Sequence, residues 1–365
     1  MRTLDVVRAW GCILAGRAPS MSIEITRQCP LSCPGCYAFK ADHLGAAGSL
    51  SNVREFQGAQ LVAGVLSLVD RHRPLHLSIV GGEPLVRWRE ITRLLPELES
   101  RRIHTQIVTS AVRPIPLEWR NIRRLTLAVS IDGLQPEHDS RRAPATYERV
   151  LRNIRGHAIT VHCTVTRQMT LREGYLREFV GFWAKQPEVR KIWMSLYTPQ
   201  IGESSPEILP LDVRERVINE LSALESVSEK LELPAGLLEA YRRPPSDPGR
   251  CMFALTTQAI SADLRTAVSP CQLGGKPDCR QCGCIASAAM ESINRHRLPM
   301  GVRTGNIFNF SRSLGLRLKV LRGPDFTLPQ PGLREAGCIG ISPVRRTSVS
   351  AQYKMRRSGP EMPES

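Results

Sequence analysis

Three cysteines, Cys29, Cys33 and Cys36, stand at a C-x3-C-x2-C spacing in a stretch that also contains two prolines and a glycine. Such a loop can fold back on itself, so the three thiolates can converge on one soft metal centre, as iron-sulfur ligation requires. Four thiolates usually close an iron-sulfur cubane. Three leave one iron open to a non-protein ligand, like the open position of a catalytic zinc site. The spacing therefore predicts a catalytic metal centre.

The chain has eleven cysteines, and eight of them fall in two tight groups, one at 29–36 and one at 251–284. In a reducing, cytosolic setting, clustered cysteines bind metal or carry out redox chemistry far more often than they form disulfides. The other three, Cys12, Cys163 and Cys338, are expected to be buried structural thiols. The opening residues hold too short an apolar run for a secretory signal, and no stretch approaches the roughly 20 apolar residues of a membrane span. We therefore expect a cytoplasmic metalloprotein, whose 365 residues can form a large domain and a smaller one.

The net charge of +16 is unevenly distributed. Residues 285–365 hold thirteen Lys and Arg against five Asp and Glu, an excess of +8. A basic end of this kind suits an anionic membrane surface, at the inner face of the membrane, or an acidic substrate, or it is a solvated tail. No aromatic-rich nucleic-acid motif accompanies it, so we do not expect nucleic acid as a partner. Residues 1–16 fit a short helix with one apolar side, which either caps the next domain or seeks a surface.

Apolar runs alternate with helical patterns from Met21 to Thr198. Six runs are predicted strands: Ser22–Thr26, Leu75–Val80, Ile103–Thr109, Leu125–Ile131, Ile159–Thr166 and Lys191–Tyr197. The helical patterns between them are Glu55–Arg71, Trp88–Arg101, Tyr147–His157 and Arg172–Gln186, with a shorter one at Ile115–Arg120. This alternation is typical of a parallel sheet built from right-handed crossovers. The predicted fold class is α/β, either a partial barrel or an open doubly wound sheet.

Polar and glycine-rich clusters follow four consecutive predicted strands. They are the cysteine loop, Gly81-Gly82-Glu83-Pro84, Thr109-Ser110 and Ser130-Ile131-Asp132-Gly133. Ligands bind at the carboxyl ends of the strands in both arrangements, so these loops are expected to face one site. Each dipeptide alone is common in turns, and only their placement in consecutive loops predicts the site.

The regular alternation ends after Tyr197. A charged helix is predicted at about Leu211–Leu231, and the proline-rich stretch Arg242–Gly249 is a predicted linker. The predicted organisation is therefore a helical extension at 1–20, a core at 21–240, a cysteine-rich region at 241–290 and a basic extension at 291–365. Within that extension, Leu314–Val320 alternates in the manner of a strand, and Thr347–Ser365 is predicted to be disordered.

The cysteine spacing, the loop at 81–84 and the loop at 130–133 together resemble the radical S-adenosylmethionine (radical SAM) superfamily. The resemblance implies a partial (β/α)6 TIM-like barrel in which Cys29, Cys33 and Cys36 bind a 4Fe-4S cluster. The open iron would be chelated by the amino and carboxylate groups of S-adenosylmethionine. An electron from the cluster would split the sulfonium to give methionine and a 5'-deoxyadenosyl radical. A reducing partner such as flavodoxin or ferredoxin is implied as well.

The resemblance also implies residues that contact the cofactor. An ammonium group beside a cluster calls for an anion and backbone carbonyls, which Glu83 and the bare backbone of Gly81 and Gly82, ahead of Pro84, can offer. Ser130 stands where members of the family contact the ribose. These residues, which follow the second and fourth predicted strands, are predicted to contact the cofactor.

Two further positions are implied with alternatives. Arg142 stands where an arginine pairs with the ligand carboxylate, for which a guanidinium fork is suited, although Arg141 and Arg142 are equally able to cap a helix or face water. Much of the family has an aromatic residue just before the third cysteine, near the adenine, where this chain has Gly35. Tyr37 is therefore the predicted substitute at the adenine, or else a core residue.

The second cysteine group resembles the auxiliary-cluster extensions called SPASM and twitch domains. A full SPASM pattern has more cysteines, for two clusters, so the five found here imply one auxiliary 4Fe-4S cluster. The five are Cys251, Cys271, Cys279, Cys282 and Cys284. Four would close the cluster, taken as the first three with either Cys282 or Cys284. A zinc site is the alternative, because Cys279 and Cys282 also have zinc-knuckle spacing.

The leading hypothesis is a radical SAM enzyme, an oxidoreductase or transferase, that abstracts a hydrogen atom from an unreactive carbon; no catalytic side chain is assigned. Resemblance in the auxiliary region favours a peptide or protein substrate, whereas the basic end and the apolar first helix suit a lipid. The alternative is a non-catalytic iron-sulfur or zinc protein that carries electrons or serves as an assembly scaffold. The Glu83 loop beside an open three-cysteine site favours the enzyme.

Overall fold

Seven parallel strands form one sheet in the computed structural model, which describes residues 3–225, 228–299 and 301–322. The strands are β1 (Ser20–Glu24), β2 (His76–Val80), β3 (His104–Thr109), β4 (Leu125–Ser130), β5 (Ile159–Val165), β6 (Val189–Leu196) and β7 (Thr257–Ile260). Their order is β6-β5-β4-β3-β2-β1-β7, so the first six lie side by side in the order of the sequence. The predicted α/β class with a partial TIM-like barrel is confirmed.

Helices lie between most of the strands, and their buried residues pack with those of the sheet. They are α1 (Thr3–Leu14), α2 (Gly58–His72), α3 (Trp88–Ser100), α4 (Gln135–Arg142), α5 (Tyr147–Asn153), α6 (Tyr175–Ala184), α7 (Leu211–Leu224), α8 (Ala235–Arg242), α9 (Met252–Thr256), α10 (Ile285–Arg295) and α11 (Thr304–Arg322). In α3 the buried residues are Ile91, Leu94, Leu95 and Leu98, at the spacing of one helical face. They pack with strand residues such as Ile79 and Ile107 in the main core. This core fixes the strand ends that carry the site.

Strand β7 was not predicted from the sequence. It pairs in parallel with β1, with Ser20 opposite Thr257 and Ile23 opposite Ile260. It has only four residues, two of them partly exposed, so it gives no clear alternation. The strand lies beyond the predicted linker and extends the same sheet, while the predicted domain boundaries at 20, 240 and 290 remain predictions.

Two predictions for the later part of the chain were wrong. Residues 314–320 belong to α11 rather than to a strand, because Ser311, Gly315 and Phe308 are buried at helical spacing. The helix predicted to reach Leu231 ends at Leu224, and Leu231 forms a bridge with Ile192 instead.

Two of the three isolated cysteines lie within the described residues. Cys12 and Cys163 are buried, as predicted, whereas Cys338 and Thr347–Ser365 lie outside the described residues. Within the described part of the chain, none of the helices combines the length and apolar character needed to cross a bilayer.

Candidate active site

The first cysteine group follows β1 at the carboxyl end of the sheet, and its three cysteines are half-buried. The Cys36 N–H donates a 3.3 Å hydrogen bond to the Cys33 carbonyl, which closes the end of the loop. Burial raises the pKa of the Cys29 thiol to about 11, and the charges of Glu83, Cys33 and Cys36 act in the same direction. The three thiols are therefore close enough to act on one another, and a metal must displace their protons to bind.

The segment just before Cys29 is fastened by Glu55, which the sequence analysis did not single out. The Glu55 carboxylate accepts hydrogen bonds from the Thr26 hydroxyl at 2.7 Å, the Arg27 N–H at 2.9 Å and the Arg87 guanidinium at 2.6 Å. Burial alone would raise the pKa of Glu55, but these donors hold it below its ordinary value. These three donors lie 28 to 32 residues away along the chain, so no local motif marks Glu55 as their partner.

The loop at 81–84 lies directly against the start of the cysteine loop. The Gly82 N–H donates to the Thr26 carbonyl and the Glu83 N–H to the Gln28 carbonyl, each at 2.8 Å. Gly81 has φ +132°, and a Cβ at this residue would stand 2.7 Å from the Thr26 carbonyl oxygen. Only glycine therefore allows the two loops to approach so closely.

The Glu83 side chain is almost fully buried and braces the loop that follows β3. Its Oε1 accepts from the Leu85 N–H at 2.9 Å and from the Thr109 hydroxyl at 2.5 Å. Its Oε2 accepts from the N–H and the hydroxyl of Ser110 at 2.8 and 2.6 Å. Four hydrogen bonds fill the acceptor capacity of a carboxylate. Glu83 thus joins two strand-end loops into one unit, and its contact with a cofactor remains a prediction.

A buried ion-pair network follows β4. Arg142 Nε donates to Asp132 Oδ2 at 2.7 Å, and Arg141 Nε donates to the same oxygen at 3.0 Å. The Thr164 N–H donates to Asp132 Oδ1 at 3.1 Å, and Arg141 also pairs with Glu207. Burial favours the neutral acid, but the two guanidinium groups outweigh it and hold the pKa of Asp132 far below its usual range.

Arg142 connects this network to the cysteine loop. Burial would lower the pKa of Arg142, but the charges of Asp132, Cys33 and Cys36 raise it. Ser130 is buried at the carboxyl end of β4 and lies opposite His162 of β5. The predicted residues from the first, second and fourth strand ends therefore gather at one end of the sheet, while their roles as cofactor ligands remain predictions.

Gly35 replaces the aromatic residue expected before the third cysteine, and the structure gives a physical reason. Its φ is +65°, a region that favours glycine. A Cβ at Gly35 would stand 2.6 Å from the Tyr197 hydroxyl and 2.7 Å from Glu207 Oε2. Both the backbone conformation and the neighbours therefore exclude a larger side chain.

Tyr37 lies between the two cysteine groups. Its ring centroid is 5.6 Å from that of His43, and it packs on a small apolar cluster next to β7. Burial raises the pKa of the Tyr37 hydroxyl, and the charges of Glu24 and of cysteines from both groups act in the same direction. This position matches the core role considered for Tyr37, and a contact with adenine remains a prediction.

A buried pair that the sequence analysis missed ties β1 to the second cysteine group. His43 Nε2 lies 2.6 Å from Glu24 Oε1, and His43 Nδ1 lies 3.2 Å from the Leu273 carbonyl oxygen. A carbonyl oxygen only accepts, so Nδ1 carries a proton and donates it. The pair therefore holds the loop after Cys271 against the end of β1.

The second cysteine group lines one small cavity. Its members are Cys251, Cys271, Cys279, Cys282 and Cys284. Burial raises the pKa of Cys279 to about 11 and that of Cys271 to about 12, and the charges of neighbouring cysteines add to the effect. The Leu196 N–H donates to the Gly283 carbonyl at 2.9 Å, which fixes this loop to the end of β6. All five predicted ligands therefore lie around the same cavity.

A buried arginine of α7 adjoins this cavity. Arg214 Nη2 donates to the Cys282 carbonyl at 2.8 Å and to the Tyr241 carbonyl at 3.1 Å. Among the described residues, no carboxylate lies within ion-pair distance of its guanidinium. A buried charge needs a counter-charge, so the site calls for an anion beside Cys282.

In the described part of the chain, no group of three or more His, Cys, Asp or Glu side chains is arranged as ligands of one metal ion. An iron-sulfur cluster presents a separate iron to each thiolate, so its ligands stand farther apart than those of a single ion. Thiolates are soft ligands, so both cysteine groups suit iron-sulfur clusters.

Comparison with known protein families finds a match for the part of the chain that carries the first cysteine group. Residues 23–173 match the family model of the radical SAM superfamily. This stretch contains the first cysteine group, the loop at 81–84 and Arg142. No curated protein matches the chain.

Several solved structures share the fold. Streptococcus suis SuiB bound to S-adenosylmethionine is 17% identical with a TM-score of 0.51, and the match covers 71% of this chain and 62% of that one. SuiB bound to precursor peptide SuiA is 15% identical with a TM-score of 0.52, over 87% of this chain and 70% of that one. Native anSMEcpe with bound AdoMet is 16% identical with a TM-score of 0.51, over 80% of this chain and 84% of that one. At these identities the likeness establishes the fold alone.

Proposed function

We propose, from the premise that the chain belongs to the radical SAM superfamily through residues 23–173, that it binds a 4Fe-4S cluster at Cys29, Cys33 and Cys36 together with S-adenosylmethionine. When bound, these groups supply reductive cleavage of the sulfonium to methionine and a 5'-deoxyadenosyl radical, which abstracts a hydrogen atom from the substrate. The observation that carries the proposal is that three partly buried cysteines share one loop, which the Glu83 N–H holds through the Gln28 carbonyl, at the same end of the sheet as the Arg142 guanidinium.

The residues present fit these groups. Three thiols are one fewer than closes a cluster, which leaves a position for a chelating amino acid. Arg142 is held by Asp132 through part of its guanidinium, and the rest of this five-donor group suits a carboxylate. The backbone of Gly81 and Gly82 suits an ammonium group nearby.

The surrounding residues keep this arrangement rigid. Glu55 holds the segment that leads to Cys29, and Glu83 joins the loops after β2 and β3. Asp132 stays ionised and orients both guanidinium groups after β4. Because all three carboxylates are hydrogen-bonded, and those of Glu83 and Asp132 are buried as well, the strand-end loops are positioned before any ligand binds, which lowers the cost of ordering them.

We assign the second cysteine group to one auxiliary 4Fe-4S cluster, with a zinc site as the alternative. Four of the five cysteines would hold it, namely Cys251, Cys271, Cys279 and either Cys282 or Cys284. The unpaired guanidinium of Arg214 supports an anionic centre here, because thiolate ligands give such a centre a net negative charge.

A peptide or protein is the proposed substrate. The sheet face opposite the main core carries partly exposed polar side chains, among them Gln106, His162 and Thr164. A polar lining offers hydrogen bonds to peptide groups and suits them better than a lipid chain. SuiB, which shares the fold, has been solved with a precursor peptide bound. Whether the net reaction is that of an oxidoreductase or a transferase depends on this substrate.

The proposed setting is the cytoplasm. A reducing compartment keeps clustered cysteines available as metal ligands. The electron for sulfonium cleavage would come from a small reducing protein such as flavodoxin or ferredoxin.

Anaerobic reconstitution with iron and sulfide, followed by S-adenosylmethionine and dithionite, tests the proposal. We expect 5'-deoxyadenosine from the wild type and none from a variant with Cys29→Ala, Cys33→Ala and Cys36→Ala. Equal product from both proteins would overturn it. A non-catalytic electron carrier or scaffold would instead bind iron and sulfide without forming 5'-deoxyadenosine.

Metal analysis of the same triple variant tests the auxiliary assignment. About four irons should remain, as one four-thiolate cluster requires. Retention of zinc in place of iron would support the alternative, and loss of all metal would contradict both.

A further inference from the structure

Helix α11 is fixed to the protein along one side, where it packs against α1. Trp10 Nε1 donates a 3.1 Å hydrogen bond to the Ser311 hydroxyl, and Phe308 is buried in a small cluster with Ile13 and Met252. Gly315 allows the two helices to touch, because a Cβ there would meet the backbone of α1 and of Gly16 just after it. One long side of α11 is therefore already occupied by contacts within the protein.

The other side of α11 is apolar and exposed. Phe310 is 72% exposed, and Val320 and Leu321 are each 82% exposed. Phe310, Leu314 and Leu321 recur at steps of four and seven residues, so they share one face of the helix. Such side chains normally avoid water unless another surface covers them.

Exposed apolar side chains are concentrated on this helix pair. Of the fifteen large ones exposed in the described ranges, eight belong to α1 and α11: Val6, Val7, Leu14, Phe310, Leu314, Leu316, Val320 and Leu321. The same area is strongly basic, since residues 303–322 contain five Lys and Arg and no Asp or Glu. Arg317 falls in the same helical stripe as Phe310, Leu314 and Leu321. We call this combined surface the α1–α11 face.

We propose that the α1–α11 face binds the surface of an anionic phospholipid membrane. Aromatic and aliphatic side chains would enter the headgroup boundary, while Arg317 would extend its charged group to the lipid phosphates. The helix would lie in the plane of the interface, and the enzyme would stay at the surface. The sequence predicts membrane attraction from the basic C-terminal end, with the apolar first helix as a second candidate segment, whereas we assign it to the α1–α11 face.

Charge favours a lipid over two other occupants. A second copy of the chain, paired about a two-fold axis, would bring two acid-free basic helices together, which costs electrostatic energy. Residues 323–365 hold six Lys and Arg against four Asp and Glu, so this segment does not offer complementary charge either. An anionic bilayer supplies both negative charge and an apolar layer.

Vesicle co-sedimentation of the full-length protein tests the proposal. The probes are phosphatidylcholine vesicles and vesicles with an equimolar mixture of phosphatidylcholine and phosphatidylglycerol. We expect binding to the anionic vesicles that weakens as salt is raised, because salt screens the attraction. A Phe310→Ser, Leu321→Ser double variant and an Arg317→Glu variant should each lower the partition coefficient roughly tenfold or more.

Matched substitutions elsewhere control for charge and surface hydrophobicity. Leu171→Ser removes a side chain that is 76% exposed, and Arg190→Glu reverses an exposed charge at the start of β6. Both should bind as the wild type does, and circular dichroism should show that all variants remain folded. Unchanged binding by the α1–α11 variants, or equal binding to neutral vesicles, would overturn the proposal. So would light scattering that shows these variants dissociating a dimer, which would assign the face to a second copy.

Discussion

The Nε2 atom of His43 lies 2.6 Å from Oε1 of Glu24, and both side chains are shielded from solvent. Since Nδ1 of His43 already donates to the Leu273 carbonyl, Nε2 and the carboxylate must share one further proton. They form either an imidazolium with a carboxylate or an imidazole with a carboxylic acid. The pair is neutral overall in both forms, which allows it to stay buried between the two cysteine groups.

Replacement of Glu24 separates a hydrogen-bonding role from a purely ionic one. Glu24→Leu leaves Nε2 of the buried His43 without a partner and should lower the free energy of unfolding by about 3 kcal/mol. Glu24→Gln should cost much less, because its amide can donate to a neutral Nε2. Urea unfolding of the metal-free protein measures both losses.

Glu97→Leu is the control, because Glu97 forms a half-exposed ion pair with Arg101. It should change the free energy of unfolding by less than about 0.5 kcal/mol. Equal losses from Glu24→Gln and Glu24→Leu would contradict the shared hydrogen bond.

An added side chain at Gly35 is expected to destabilise the protein by more than backbone strain alone. Gly35→Ala imposes backbone strain of about 1 kcal/mol at φ +65° and also pushes against Tyr197 and Glu207, so the total loss should reach about 2 kcal/mol. Gly174→Ala is the matched control, since Gly174 has φ +72° with no atom within 4 Å of the added Cβ. It should show the strain alone. Urea unfolding compares the two, and equal losses would mean that the contacts of Gly35 have no effect.

The parts of this site that the sequence predicted are those marked by local patterns. The Cys29 loop and Gly81–Pro84 are recognisable because their residues act within a few positions of one another. The first six strands are recognisable because buried apolar runs such as Ile159–Val165 contrast with polar loops. These signals are sufficient to predict the barrel and the end of the sheet that carries the site.

The parts that the sequence analysis missed depend on distant partners. Glu55 acts on residues about 30 positions away, and Arg214 donates to a carbonyl 68 positions away. Helix α11 was mistaken for a strand because Leu314, Leu316, Leu318 and Val320 alternate. Three of these four side chains are exposed. Alternating apolar residues normally indicate a strand with one buried face, but here they lie largely on the exposed surface of a helix.

Asp132 should make the stability of the metal-free protein depend on pH in the acid range. Its pKa is held far below the usual value by Arg142 and Arg141 despite burial, so the ionised form stabilises the fold fully above about pH 4, the ordinary pKa of Asp. Below that pH the unfolded chain takes up a proton that the folded one does not, and the advantage declines. Asp132→Asn should therefore cost about 3 kcal/mol at about pH 7, and less at about pH 3.

Urea unfolding of wild type and Asp132→Asn at several pH values measures this difference. Asp70→Asn is the control, because Asp70 pairs with Arg101 while 60% of its side chain is exposed. Its effect should be small throughout. A wild-type advantage over Asp132→Asn that stays constant down to about pH 3 would mean that Asp132 titrates in both states alike.

Arg214 is expected to set the charge balance of the auxiliary site. Its guanidinium is buried and donates to the Cys282 carbonyl, and no carboxylate in the described ranges pairs with it. In a protein that already carries Cys29→Ala, Cys33→Ala and Cys36→Ala, only the auxiliary cluster would remain. Arg214→Met should then reduce iron content and make the reduction potential of the remaining cluster more negative, on the order of tens of millivolts by Coulomb's law at an effective dielectric constant near 20.

Electron paramagnetic resonance during a reductive titration measures the potential. Arg214→Lys should restore part of the shift, whereas Arg216→Met removes an exposed charge from the same helix and should leave the potential unchanged. An identical potential in Arg214→Met and Arg216→Met would show that the buried guanidinium does not act on the cluster.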